Sequence, residues 1–351
     1  MSVAARLDGY QRRHRWLGFP LAVAYKFGDD QGGYLAALIT YYSFLSLFPL
    51  LLLFVTTLGF ALHGDPELQR RVVDSTLSQF PIIGTQLQDN VRSLDGSVFG
   101  MVVGVVGALY GGLGAAQAAQ NALNRVWAVP RNERPNPLTS RLRSLALLLV
   151  LGTGVIATTV LSGLGTSAKG YGADLGAGLR FLAILLSVVV NVGLFVTAFR
   201  VMTARDVKTR DVLAGAVLAA VAWQVLQAVG AYYVGHKLKN ATEVYGLFGL
   251  VLGLIAWLWL ESLVVVFAAE VNVVRAKRLW PRALLTPFTD QVRLTHADQR
   301  AYDSYAQSER YKGFETVDVD FEGGHERPEG QGESRREDPA VDRDEPTSHE
   351  L

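Results

Sequence analysis

Six apolar runs dominate the first 270 positions, at approximately 34–62, 98–119, 142–164, 178–201, 212–235 and 247–270. A bilayer core about 30 Å thick is crossed by roughly 20 residues of helix rising 1.5 Å each, and every run meets that length. A soluble protein can bury one or two such helices. Six in succession leave no amphipathic layer to face water. The pattern predicts an all-α, polytopic membrane bundle of six transmembrane helices.

Three flanking segments complete the expected organisation. Residues 1–33 form a basic segment in which Arg12, Arg13 and Arg15 neighbour Trp16, Leu17 and Phe19, a composition suited to an anionic membrane surface. The membrane domain covers 34–283, and the loop 63–97 is its one large external segment. Within that loop Leu68, Val72, Val73 and Leu77 recur at helical spacing, which predicts a short amphipathic helix over the outer face. From Glu315 to Leu351 thirteen acidic residues face four arginines, so residues 1–314 carry the positive balance of a chain whose net charge is +1. The stretch 284–351 loses its apolar periodicity and reads as an unfolded acidic tail.

Lysines and arginines near the run ends set the orientation. One set of flanks holds 18 of them, among them Arg125, Arg131, Arg143, Arg200, Arg205, Arg210, Lys277 and Arg282; the other holds seven. Both termini are therefore expected in the cytoplasm, as an even number of spans requires. The expected location is the bacterial plasma (inner) membrane, multi-pass. The first run is too long, and starts too far in, for a signal peptide.

Composition also narrows the chemistry. The chain has no cysteine, which removes disulfides, thiolate metal sites and cysteine nucleophiles. Its six histidines are far apart in sequence, so no short metal-ligand spacing exists. No Gly-x-x-x-x-Gly-Lys-Ser/Thr nucleotide loop occurs. The expectation is a protein that is not an enzyme and needs no metal or cofactor. Nucleic acid is not an expected partner; membrane lipids are, with anionic ones at the cytoplasmic face, and a homo-oligomer or an envelope protein partner is compatible with the pattern.

Polar groups inside the runs are the candidate functional residues. The first run carries Thr40, Tyr41, Tyr42, Ser43 and Ser46 ahead of Pro49, where a missing N–H predicts a kink. The second holds Gly100, Gly104, Gly107, Gly111, Gly112 and Gly114, a spacing that favours close helix approach over phosphate binding. Gln117, Gln120, Asn121 and Asn124 follow at i, i+3, i+4, i+7 and form one polar stripe, either a hydrogen-bonded seam or a cavity wall. In the sixth run Glu261 lies about 21 Å in from Leu247, where a carboxylate must be neutral, paired or facing water. Glu270 lies nearer the boundary, where pairing with Arg125 or Arg210 would satisfy it, and Asn272 returns to the face of Glu261.

Several of these residues resemble the YihY/BrkB family of bacterial inner-membrane proteins, historically labelled ribonuclease BN. The resemblance rests on the segment Ala37 to Pro49, on Asn124-Arg125-Val126-Trp127, on Arg210 to Ala216 with Trp223, and on Tyr245-Gly246, Trp257 to Leu260 and Ala269-Glu270-Val271-Asn272. It covers about residues 10–280 and implies a six-span inner-membrane protein. Family members have been linked to transport, including lipid-related export. A metal-dependent nuclease needs clustered ligands, and the loops between spans on the basic side offer only Glu133, Asp206 and Asp211 as acids.

Two functions follow as expectations. A transporter or lipid- or anionic-metabolite-handling protein would have a cavity lined by the hydroxyls of Thr40, Tyr41, Tyr42 and Ser43, by the amide stripe and by Glu261. Arg125 and Arg210 would then offer positive charge at its cytoplasmic mouth. A non-transporting scaffold or envelope assembly factor would instead have a tightly interdigitated interior, with Gly104 and Gly111 serving assembly.

Overall fold

In the computed structural model the residues described are 3–61, 98–170, 177–233, 239–289 and 292–321. The compact unit to which the following applies extends to Val319. Regular structure among these residues is helical: α1 (Val3–Arg13), α2 (Arg15–Asp29), α3 (Gly32–Ala61), α4 (Val98–Val126), α5 (Pro137–Gly170), α6 (Ala177–Met202), α7 (Thr209–Tyr233), α8 (Lys239–Lys277) and α9 (His296–Ser308), with a 3₁₀ turn at Arg131–Glu133. The described part of each of the six apolar runs lies on one of the helices α3 to α8. Among the described residues three stretches, Leu185–Met202, Thr209–Gly230 and Val251–Lys277, are long and apolar enough to cross a membrane. The 63–97 loop and its expected helix lie outside the described residues.

Local chemistry explains the boundaries. His14 is extended (φ −112°, ψ 104°) and separates α1 from α2. Gln31 takes a left-handed conformation (φ 57°) that turns the chain from α2 into α3. The Asn136 side chain accepts from the Thr139 N–H at 2.8 Å and caps α5, whose first residue is Pro137. Arg278, also left-handed (φ 53°), ends α8, and the Leu279 N–H closes onto the Val274 carbonyl at 3.0 Å.

α4 lies against α3 and also touches α5, α6 and α8, while α8 packs on α7, α3 and α2. Small residues make the close approaches possible. A Cβ on Gly111 would lie 2.6 Å from Cα and Cβ of Ser46, and one on Gly107 would lie 2.6 Å from Cβ and Cγ of Pro49. α3 continues through Pro49, whose ring occupies the notch left by Gly107. The buried seam where these helices meet is rich in alanine and valine, including Ala119 and Ala122 of α4, Ala216 and Ala219 of α7, and Ala268 and Ala269 of α8.

The outward surface is apolar too. Leu213, Val217, Val221, Val225 and Val229 are exposed at every fourth position of α7, and Val102, Val106 and Tyr110 do the same on α4. Such continuous exposed stripes mark a surface that faces lipid rather than water.

One expectation is corrected. An unfolded tail from about residue 284 does not describe 292–319, because α9 is a capped helix held against the bundle. The Thr295 side chain accepts from the Asp298 N–H (3.1 Å), and Asp298 accepts in return from the Thr295 N–H (2.9 Å). Ala297, Asp298 and Ala301 are buried there. The acidic residues from 322 onward lie outside the described residues.

Candidate functional site

Between the helices lies a cavity of about 400 Å³. Each long helix supplies a wall: Ser43 from α3, Ala119 from α4, Leu147 from α5, Asn191 from α6, Trp223 from α7 and Glu261 from α8. Most of the lining is aliphatic or aromatic, and the polar groups are few, as in sites for amphipathic ligands. Glu261 is its one acidic group. The Trp257 indole, one turn earlier on α8, donates to Glu261 Oε1 at 2.7 Å. Glu261 Oε2 has no hydrogen-bond partner among the described residues. A carboxyl group so placed can accept from a ligand or hold a proton, while the Trp257 bond fixes its orientation.

The other expected cavity residues are distributed differently. Thr40 is buried, with its hydroxyl 2.8 Å from the Ala36 carbonyl and 3.1 Å from Ser262 Oγ, and so stitches α3 to α8. Tyr41 is 60% exposed on the outer surface, and Tyr42 packs where α4 leaves room at Gly114. Only Ser43 of the four hydroxyl residues lines the cavity.

The amide stripe is a seam, not a wall. Gln120 Nε2 donates to Ser144 Oγ at 2.7 Å and to the Ser140 carbonyl at 3.0 Å, and its Oε1 accepts from the Ser140 hydroxyl at 3.0 Å, joining α4 to α5. Asn124 Oδ1 accepts from the Ala204 N–H at 2.8 Å and fastens the turn after α6. Asn121 is exposed and Gln117 half-buried, and neither lines the cavity.

A second polar group lies below the cavity, at the basic end of the bundle. Lys26 and Asp30 of the α2 terminus form a direct ion pair, and Glu270 of α8 lies 3.5 Å from Lys26 Nζ. All three are buried. Glu270 therefore pairs with Lys26 rather than with Arg125 or Arg210. Burial works against the Lys26 charge, but Glu270 and Asp30 outweigh it and hold the ammonium above the ordinary lysine range. Burial likewise pushes the Asp30 carboxyl up, only partly opposed by Lys26 and Arg125. Asn272 Oδ1 accepts from the Gly215 N–H at 2.6 Å, binding α8 to α7 at a point where α7 has no side chain in the way.

Arg125 and Arg210 do not meet at a common mouth. Arg125 is 3.1 Å from Glu309 and 4.0 Å from Asp30, whereas Arg210 points to solvent beside Asp211 at 3.8 Å. Trp223 lines the cavity and meets Phe195 edge-on at 6.5 Å. Gly104 is buried on α4. The Tyr245 side chain lies outside the described residues.

Sequence reasoning missed Asn191, although a lone amide within the fourth apolar run was a visible signal. It also missed Arg282, which is buried and bound to Asp298 at 2.8 Å and Asp29 at 2.7 Å. Both partners are remote in sequence, so nothing local announced the cluster. The guanidinium donates hydrogen bonds to both carboxylates, and these hold it charged against the effect of burial.

The family profile described as virulence factor BrkB matches residues 23–287. The chain belongs to the BrkB family. Among curated proteins it is similar to the inner membrane protein YhjD of Escherichia coli (strain K12), with 26% identity over 261 residues, covering 70% of this chain and 77% of the relative. A UPF0761 membrane protein of Pseudoalteromonas atlantica is 25% identical over 239 residues, covering 67% and 78%. The putative ribonuclease-like protein YfkH of Bacillus subtilis (strain 168) is 22% identical over 251 residues, covering 69% and 90%. No solved structure matches significantly. The chain is thus an integral membrane protein of the BrkB family, and α9 lies beyond the part that the family profile covers.

Proposed function

We propose that this BrkB-family protein crosses the bacterial inner membrane six times, with both termini in the cytoplasm, and transports or otherwise handles a lipid or another amphipathic anionic metabolite through the cavity between its helices. The cavity at Glu261 carries the reading. Its volume suits a sizeable ligand, its wall is mostly apolar, and its polar groups are restricted to a few positions. A carboxylate at this depth is costly to maintain unless it has a task or a partner, and its only hydrogen-bond partner among the described residues is one indole N–H. The role is non-enzymatic and requires no bound metal or cofactor.

The scaffold reading predicted a fully interdigitated interior, and the cavity favours transport over it. Gly107, Gly111 and Gly114 of α4 are accounted for by contacts with α3, and Gly112 by one with Leu148 of α5, all within the chain, so these four do not call for a second protomer.

The test is translocation of a fluorescent phosphatidylglycerol across reconstituted vesicles. Wild-type protein should accelerate it over protein-free vesicles, and Glu261→Gln should change the rate or its pH dependence while leaving the melting temperature near wild type. Equal rates with and without the protein would refute lipid translocation. An unchanged rate and pH profile in a well-folded Glu261→Gln variant would remove this carboxylate from the mechanism.

A further inference from the structure

At the basic end of the bundle, away from the central cavity, a hollow of about 640 Å³ opens between α5, α6 and the turn that follows α6. Three arginines from three places in the chain line it: Arg143 in the second turn of α5, Arg200 in the last turn of α6, and Arg205 in the turn. Thr197, Thr203 and Asp206 complete its polar lining. We propose that this hollow binds a phosphate group, as the headgroup of an anionic phospholipid or as a soluble phosphorylated molecule.

Charge, pre-organisation and position support the assignment. Three guanidinium groups against one carboxylate leave a surplus of two positive charges, enough to neutralise the single charge of a phosphodiester or the nearly two of a phosphomonoester. Asp206 forms no ion pair with any of the three, and Arg143 and Arg205 have no hydrogen-bond partner among the described residues. Other arginines of the chain are engaged by carboxylates: Arg125 and Arg131 share Glu309, and Arg310 holds Glu133. The hollow is therefore lined by three cationic side chains, two of them, Arg143 and Arg205, with all their donors unused among the described residues.

The frame behind them is rigid. Arg200 Nε donates to the Val207 carbonyl at 3.1 Å and its Nη1 to Thr209 Oγ1 at 3.3 Å, which fixes the fork and leaves Nη2 for a ligand. The turn is anchored by Asn124 through the Ala204 N–H and by the buried Val207. Leu142, Leu145 and Leu149 form an exposed apolar stripe on α5, about 100–160° round the helix from Arg143, so acyl chains of a lipid held in the hollow would reach that stripe by passing round the helix. The inference stands apart from transport, because the hollow holds a phosphate whether or not the central cavity conducts anything.

The experiment is native mass spectrometry of the full-length protein in detergent, titrated in one arm with dioleoyl phosphatidylglycerol and in the other with glycerol 3-phosphate. Arg143→Gln and Arg205→Gln are the test variants, since neither side chain makes a hydrogen bond among the described residues; Arg210→Gln is the basic-surface control. A lipid adduct weakened tenfold or more in both test variants and unchanged in the control supports a headgroup site. The same pattern with glycerol 3-phosphate supports a soluble phosphorylated ligand. Absence of any adduct in both arms, or an adduct equally strong in all four proteins, overturns the assignment.

Discussion

Replacing Gly111 tests whether α3 and α4 touch as described. A Cβ added there would lie 2.6 Å from Cα and Cβ of Ser46 and 2.8 Å from its backbone N. Non-bonded carbons rest at about 3.5–4.0 Å, so alanine requires the two helices to part by about 1 Å. Overpacking of this kind costs about 1–3 kcal/mol. The gain in helix propensity from glycine to alanine offsets about 1 kcal/mol of it, leaving Gly111→Ala destabilised by about 0–2 kcal/mol. Valine adds two methyl groups to the same gap and lacks the full propensity gain, so Gly111→Val should lie at about 3 kcal/mol or beyond. Gly152 on α5 is the control: a Cβ there meets nothing within 4 Å, so Gly152→Ala should gain a few tenths to about 1 kcal/mol. Melting curves in detergent, read by loss of the monodisperse peak, should rank Gly152→Ala at or above wild type, then Gly111→Ala, then Gly111→Val. A Gly111→Val protein melting with wild type would refute the close packing of α3 on α4.

Other expected outcomes follow from the buried polar groups. Asn272→Ala should destabilise by about 0.5–1.5 kcal/mol, because the α7–α8 hydrogen bond is lost while the Gly215 N–H keeps its place in the α7 backbone ladder; equal melting temperatures would contradict the α7–α8 bond. Arg282→Met should cost about 3–5 kcal/mol by leaving Asp298 buried without its partner, and limited proteolysis should then release α9 first. Lys26→Gln should cost a similar amount at neutral pH, and its stability should rise as pH falls. The sign follows from Asp30: burial already raises its folded-state pKa, and loss of Lys26 raises it further, so the contribution is fully present below the ordinary carboxylate range and is lost as pH rises through the folded value. A Lys26→Gln variant whose stability is flat between pH 5 and about 8 would contradict the buried triad.

Hydrophobic run length was enough to place α3 to α8, because a span needs little more than about 20 apolar residues in a row. The helical face of Gln120 and Asn124 was legible from spacing, yet their partners were not: Ser144 and Ala204 lie on other segments, and only folding brings them together. The same limit applies to Glu270. Its depth suggested a basic partner near the membrane boundary, but Lys26 reaches it only because α2 folds beneath α8. α9 carries a local signal in the Thr295-x-x-Asp298 capping pattern, but the acidic composition of the chain beyond it masks that signal in the sequence. At the candidate site Glu261 stood out as a charge within an apolar run. Tyr41 did not reach the cavity, since adjacent helical positions differ by about 100° and only Ser43 has the right direction.

The central claim is that the cavity at Glu261 receives a ligand. It is tested most directly by native mass spectrometry of the protein extracted with its surrounding lipid, wild type beside Ala119→Trp, which fills the cavity from the α4 wall, with Gly152→Ala as the neutral comparison. A bound molecule present in wild type and in Gly152→Ala but absent from a folded Ala119→Trp protein is the predicted result. A bound molecule retained equally by all three, or by none, would contradict the account.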